Sequence, residues 1–190
     1  PLELKRAQAI LKENIDLIVV DTAHGHSKKV EEIIKAIKKM KTKKTTLCAG
    51  NIATAEAARF LTKLGVDIIK VGIGPGSICT TRLVAGIGVP QFSAIIDVKK
   101  GVKNKKTKII SDGGIKYSGD IAKALSAGAD AVMIGSLFAG SLETPGKLIK
   151  KNGKLYKSFR GMGSVGAMNK GSADRYFQIK QKDASKYVPE

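Results

Sequence analysis

Short apolar runs alternate along the chain with longer stretches in which apolar residues recur every three or four positions. Residues 17–20, 45–49, 67–71, 108–111 and 131–134 are rich in Ile, Val, Leu and Ala and nearly continuous in hydrophobicity. That is the signature of strands covered on both faces. Between them lie helical patterns. Residues 2–14 place Leu4, Ala7, Ile10 and Leu11 on one face. After Ser27, a capping residue, Val30, Ile33, Ile34 and Ile37 form a second stripe. Its first turn carries Glu31 and Glu32 and its end carries lysines, as the helix dipole prefers. Thr54 opens an alanine-rich helix that Gly65 stops; further helices are predicted near 93–100 and over 118–127, the latter closed by Gly128.

Five strand–loop–helix units in succession imply a parallel sheet covered by helices. A doubly wound sheet and a (β/α)8 TIM barrel both fit this α/β pattern. The barrel is favoured, because polar or glycine residues follow every strand, as they do at a barrel's C-terminal face. A barrel needs eight strands and typically ~250 residues. The expectation is therefore that residues 1–140 form about the last five βα units of a catalytic barrel whose N-terminal part lies outside this chain. Residues 141–190, rich in Gly, Lys and Ser, form a separate segment after the last strand, with a hairpin expected at Lys151-Asn152-Gly153-Lys154. A long segment of that kind is either disordered or a functional lid.

The densest loop follows the third strand: Gly72, Gly74 and Gly76 around Pro75, then Ser77, Cys79, Thr80, Thr81 and Arg82. Glycines at that density let backbone groups approach a ligand or ion. Cys79 in this polar bend has the surroundings of a reactive thiol, although a single cysteine is commonly inert. Cys48, inside an apolar strand, reads as core. Asp112-Gly113-Gly114 and Gly135-Ser136 follow the last two strands, where barrels commonly bind phosphate, though ordinary turns look the same. Asp112 would repel phosphate but can accept hydrogen bonds from ribose hydroxyls, and Asp21 at a strand end can do likewise. His24 and His26 share a loop without an evident third ligand, so a structural or solvent-exposed role is favoured over metal binding. Gly72-x-Gly74 with Asp97 is a poor dinucleotide fingerprint, its third glycine being out of register. For Arg175 and Tyr176, catalytic and surface readings both remain open.

Composition narrows the function. The 190 residues are 43% hydrophobic and carry a formal net charge of +18. The lysines are dispersed without interleaved aromatics, so a solvated surface is favoured and nucleic acid is an unlikely partner, with attraction of phosphate-bearing substrates a side benefit. No apolar run approaches the roughly 18 residues of a membrane span. Two cysteines without zinc or disulfide spacing point to a reducing cytoplasm.

The segments GIGPGSICTTR (72–82), SDGGIKYSGD (111–120), MIGSLFAG (133–140), RGMGSVGAM (160–168) and GSADRYFQ (171–178) closely resemble those of the inosine-5′-monophosphate dehydrogenase family; VDTAHGHS (20–27) and AGNIAT (49–54) agree. The resemblance spans essentially the whole chain. It implies a homotetrameric (β/α)8 enzyme with a mobile flap after the eighth strand. It also implies NAD-dependent oxidation of IMP to XMP. Cys79 would attack C2 of the purine, hydride would pass to NAD, and water would hydrolyse the covalent thioimidate. By the same resemblance Arg175 is the flap's general base, assisted by Thr81 and Tyr176, an awkward role for a normally protonated guanidinium. Ser77, Asp112, Gly113, Gly114, Gly135, Ser136, Phe159, Arg160, Gly161, Met162 and Gly163 would hold IMP. Asp21, Gly72, Ile73 and Gly74 would face NAD, and carbonyls of Gly74, Gly76 and Cys79 a monovalent cation, K+. Phe159 stands where the family commonly has tyrosine, which predicts weaker IMP binding. GMP reductase is the nearest alternative, disfavoured by the RGMGS and DRYFQ segments; a non-catalytic nucleotide-binding relative is disfavoured by the presence of Cys79, Thr81 and Arg175.

Overall fold

The structure, a computed structural model, describes residues 2–176 together with 178, 183, 186 and 187. Helix α1 (Leu2–Leu11) leads into β1 (Leu17–Asp21), α2 (Lys28–Met40), β2 (Thr46–Ile52), α3 (Ala55–Lys63) and β3 (Ile68–Val71). The chain continues through a short α4 (Thr81–Val84), α5 (Gln91–Gly101), β4 (Lys108–Asp112), α6 (Ser118–Ser126) and β5 (Ala131–Met133). Helix α1 stops three residues before the predicted Asn14, which adopts a left-handed φ of 52°. The predicted caps are used: the Ser27 hydroxyl accepts from Val30 N at 3.3 Å and that of Thr54 from Ala57 N at 3.2 Å.

The five strands are all parallel and lie in the order β1-β2-β3-β4-β5. A doubly wound sheet would reverse order at a switch point. Unbroken sequence order with right-handed crossovers instead places every helix on one side, the arrangement of consecutive units of a (β/α)8 barrel. Strand β2 runs to Ile52, farther than its apolar pattern suggested, because Asn51 and Ile52 are buried and Ile52 pairs with Val71 across an irregularity after Gly50. The core lies between sheet and helices, with Val30, Ile34, Leu47, Leu61, Ile69, Ile95 and Ile109 almost wholly out of water.

At the strands' N-terminal ends one device recurs. Asp67, just before β3, accepts from Leu47 N of the neighbouring β2 at 2.8 Å; Asp130, just before β5, accepts from Ile109 N of β4 at 2.9 Å. Each aspartate thus ties its unit to the preceding one. Asp97, the acid of the weak dinucleotide fingerprint, has a similar duty: from α5 it accepts from Ala55 N at 2.8 Å, satisfying the first turn of α3.

After β5 come the antiparallel strands β6 (Leu148–Lys151) and β7 (Lys154–Lys157), joined as predicted at Asn152-Gly153, both with positive φ (50° and 74°). Lys157 Nζ pins the hairpin's base by donating to the carbonyls of Ser141 (2.6 Å), Leu142 (3.2 Å) and Thr144 (2.5 Å). Residues 160–176 then fold into short turns around α7 (Val165–Ala167), burying Met168 and Ala173 against Tyr187. Ser172 Oγ closes this strap on Met162 O at 2.6 Å.

Candidate active site

The C-terminal ends of the strands and the strap enclose two adjoining cavities. The first, of about 400 Å³, is floored by the β3 loop from Gly72 to Cys79 (Gly74, Gly76 and Ser77 among its lining) and by Asp112, Gly113 and Gly114 after β4. Gly135 and Ser136 after β5 and Phe159 to Gly163 of the strap complete it. The residues expected to hold a nucleotide therefore converge from three strand ends and one strap. The second cavity, of about 590 Å³, takes in Ile73 and Thr81 together with His24, His26, Glu56 and Val89. Asn51, Gly72, Gly74, Cys79, Arg175 and Tyr176 line both. Asp21 lies on the first and pairs with Arg175 at the boundary.

Cys79 is thus in the wall between the chambers, half-buried, with its Sγ 3.2 Å from Thr81 Oγ1. A small helical turn, α4, brings these two side chains onto the same side. Arg82 braces the loop by donating to Val89 O at 2.6 Å. Gly72 makes the loop possible: its φ is +152°, and a Cβ there would collide with the Asp112 carbonyl. Cys48, by contrast, is 1% exposed inside β2, and burial pushes its thiol up to about 11. His26 stacks at a tilt on Phe60, ring centroids 4.7 Å apart, and both histidines line the second cavity. Among the described residues no group of three His, Cys, Asp or Glu could hold a metal ion.

Two residues that the sequence reading passed over organise the centre. Lys70 of β3 is only 4% exposed, and its ammonium lies 2.8 Å from Asp21 Oδ1 and 2.6 Å from Asp112 Oδ2. Asn51 Nδ2 donates to the same Asp112 oxygen at 2.9 Å and to Gly72 O at 2.8 Å. A lysine between Ile69 and Val71 in a strand buried on both faces signals such pairing, since an unpaired buried charge is prohibitively costly. Removing one member of a buried pair typically costs about 3–5 kcal/mol. Gln91 is a further unforeseen brace, its Nε2 donating to Val71 O at 2.8 Å and Ser111 Oγ at 3.0 Å.

The strap is fastened at the same point. Arg175 forms an ion pair with Asp21 Oδ2, and its carbonyl accepts from Ala23 N at 3.1 Å. Burial pushes the Asp21 carboxyl up, but Lys70 and Arg175 outweigh it, so the carboxyl sits below its ordinary value. Burial likewise works against the charge on Arg175, yet Asp21 prevails and the guanidinium holds its proton more tightly than usual. While this pair is intact, Arg175 cannot act as a base.

A parallel α/β sheet in sequence order, with two adjoining cavities at the strands' C-terminal ends and a loop cysteine lining both, has the architecture of a segment of a barrel-type enzyme. Residues 2–190 match the sequence model of the IMP dehydrogenase / GMP reductase domain, and the chain belongs to that family. It is 54% identical over 187 residues to an inosine-5′-monophosphate dehydrogenase of Borreliella burgdorferi, covering 98% of this chain and 46% of that protein. It is 57% identical over 185 residues to one from Staphylococcus aureus (97% and 38% covered) and 54% over 189 residues to one from Chlorobaculum parvum (98% and 38%). The chain therefore spans less than half the length of these curated relatives.

Proposed function

We propose that the protein carrying this chain oxidises IMP to XMP with NAD+ and water. The observation that carries this reading is the position of Cys79: the residue lines both cavities, so a nucleotide in one and a dinucleotide in the other would meet beside a nucleophile. The donor set suits a nucleoside monophosphate. Asp112 accepts hydrogen bonds from ribose hydroxyls. Backbone N–H groups of Gly114, Gly135-Ser136 and the strap 160–163 offer neutral donors for phosphate, which glycine lets approach closely. Asp21, Gly72, Ile73 and Gly74 would hold the dinucleotide. Its nicotinamide, when bound, supplies the hydride acceptor.

Cys79 as thiolate adds to C2 of the purine, and the C2 hydrogen leaves as hydride, giving a thioimidate on the sulfur. Thr81, 3.2 Å from that sulfur, orients it and then a water. Water adds to C2, the C–S bond breaks, and XMP leaves with Cys79 restored; one proton is released overall. Arg175 and Tyr176 reach both chambers from the strap. For Arg175 to accept a proton from water, its pair with Asp21 must first open. A dinucleotide ribose on Asp21 competes for the same carboxylate and is one way in which that pair opens.

Carbonyls of Gly74, Gly76 and Cys79 are the proposed K+ ligands. Exposed Leu83, Val84 and Ile87 beside the second cavity support association into a homotetramer. No helix among the described residues is long and apolar enough to cross a membrane, and a cytoplasmic location accords with that. The test is NADH absorbance from the full-length protein with IMP, NAD+ and K+, beside Cys79→Ser. NADH formation that vanishes in the variant supports the reading. Oxidation of NADPH with GMP, and no NADH from IMP, would assign the protein to the reductase branch instead.

A further inference from the structure

Lys70 reaches two carboxylates on opposite sides of its own strand's neighbourhood, and the route is built into the sheet. Gly50 of β2 is in register with both Asp21 of β1 and Lys70 of β3. A Cβ at Gly50 would fall 2.8 Å from Lys70 Cβ and closer still to its carbonyl oxygen. With glycine there, the lysine stem is unobstructed beside β2 and its ammonium touches Asp21 Oδ1 as well as Asp112 Oδ2.

The two aspartates are held differently at their other oxygens. On Asp112, Lys70 and Asn51 converge on Oδ2, leaving Oδ1 for a ligand hydroxyl. On Asp21, Lys70 takes Oδ1 while Arg175 of the strap takes Oδ2. Lys70 is the fixed partner, buried on a rigid strand; Arg175, on the strap, is the exchangeable one. An ammonium with its stem locked cannot reorient for one carboxylate without changing its hold on the other.

We propose that Lys70 is a positioning residue that couples the two sites, orienting Asp112 toward the substrate ribose and Asp21 toward the dinucleotide ribose, so that filling one site strengthens binding at the other. This rests on the assignment of IMP and NAD+ to the two cavities. The first ligand draws its own aspartate into its binding orientation, and through the ammonium the two carboxylates share, the other aspartate is shifted toward its own ligand. Linkage then requires that each ligand tighten the other by the same factor; a coupling at the low end of the usual range is about fivefold.

The experiment is calorimetric titration of IMP into the full-length protein with chemistry blocked by Cys79→Ser, with and without saturating NAD+. With Lys70 present, NAD+ is expected to lower the IMP Kd about fivefold. In the Lys70→Met background the ratio should collapse to about one, and Lys70→Arg, which restores the charge, should recover most of it. If Lys70→Met proves unfolded by circular dichroism, Lys70→Gln, neutral but polar, carries the same expectation. A ratio preserved in the neutral variant overturns the proposal even if both affinities fall, since that pattern marks Lys70 as structural only. Absence of coupling in the Lys70 protein also overturns it. Failure of that protein to bind either ligand instead removes the functional reading, and the coupling with it.

Discussion

Gly50→Ala tests how tightly the centre of the sheet is packed. The added methyl would lie 2.8 Å from Lys70 Cβ and nearer still to the Lys70 carbonyl oxygen. Neither atom can rotate away, because both belong to or adjoin the backbone of β3, and Gly50 itself is buried in a central strand. The strands must therefore move apart by several tenths of an ångström. Overpacking of a well-packed interior costs about 1–3 kcal/mol, and a backbone contact belongs in the upper half of that range. For a domain of this size each kcal/mol lowers Tm by about 2–4 °C, so a fall of roughly 4–12 °C is expected. Gly119→Ala is the internal control: nothing lies within 4 Å of its Cβ position in the first turn of α6, so alanine there should not lower Tm. Thermal unfolding followed by circular dichroism reads both variants. A Gly50→Ala protein melting within a degree of the parent would refute the packing argument, since nothing else relieves that contact.

Three further outcomes follow from the geometry. Mild alkylation at pH 8 should modify Cys79 and spare Cys48, whose thiol burial holds at about 11; intact-mass and peptide analysis would count the adducts, and a doubly labelled native protein would contradict the assignment. Phe159→Tyr should tighten IMP binding by one hydrogen bond, roughly 0.5–1.5 kcal/mol or up to about 3 to a charged phosphate, and an unchanged Kd by calorimetry would count against contact at that position. Asp130 sits below its ordinary 3.8: burial raises it, but the Ile109 N–H and Lys108 prevail. A depressed carboxyl contributes stability that is complete above 3.8 and is lost as pH falls through its lower folded value; Asp130→Asn should therefore flatten the acid side of the Tm–pH curve below about pH 4.

The alternation of strand and helix was legible because a buried parallel sheet demands continuous apolar runs and its helices a single apolar stripe. Ser27, Thr54 and Asn152-Gly153 acted through local chemistry that needs no knowledge of the rest of the chain. Strand order was not legible, since nothing in an apolar run states its neighbours, and the doubly wound alternative fell only to the observed sequence-order sheet. The loops after the strands were found because Cys79, Asp112 and Gly135 stand out against apolar surroundings. Lys70 and Asn51 were missed for the opposite reason. They lie inside or at the end of strands, where the pattern directs attention to packing, and their role exists only once β1, β3 and β4 are side by side. Asp97, the acid of a fingerprint already read as poor because its third glycine is out of register, has its carboxylate taken by a helix N-terminus.

Cys79 and, on the same loop, Gly72 and Gly74 line both chambers. Because the two chambers share Cys79 and five other lining residues, they can be treated as one extended site. A compound long enough to run through it would bring its second half to its pocket at the effective concentration set by its linker, so two weak fragments joined at the right length gain affinity without any new contact. An electrophile on that linker would be presented to Cys79 rather than to the sheltered Cys48.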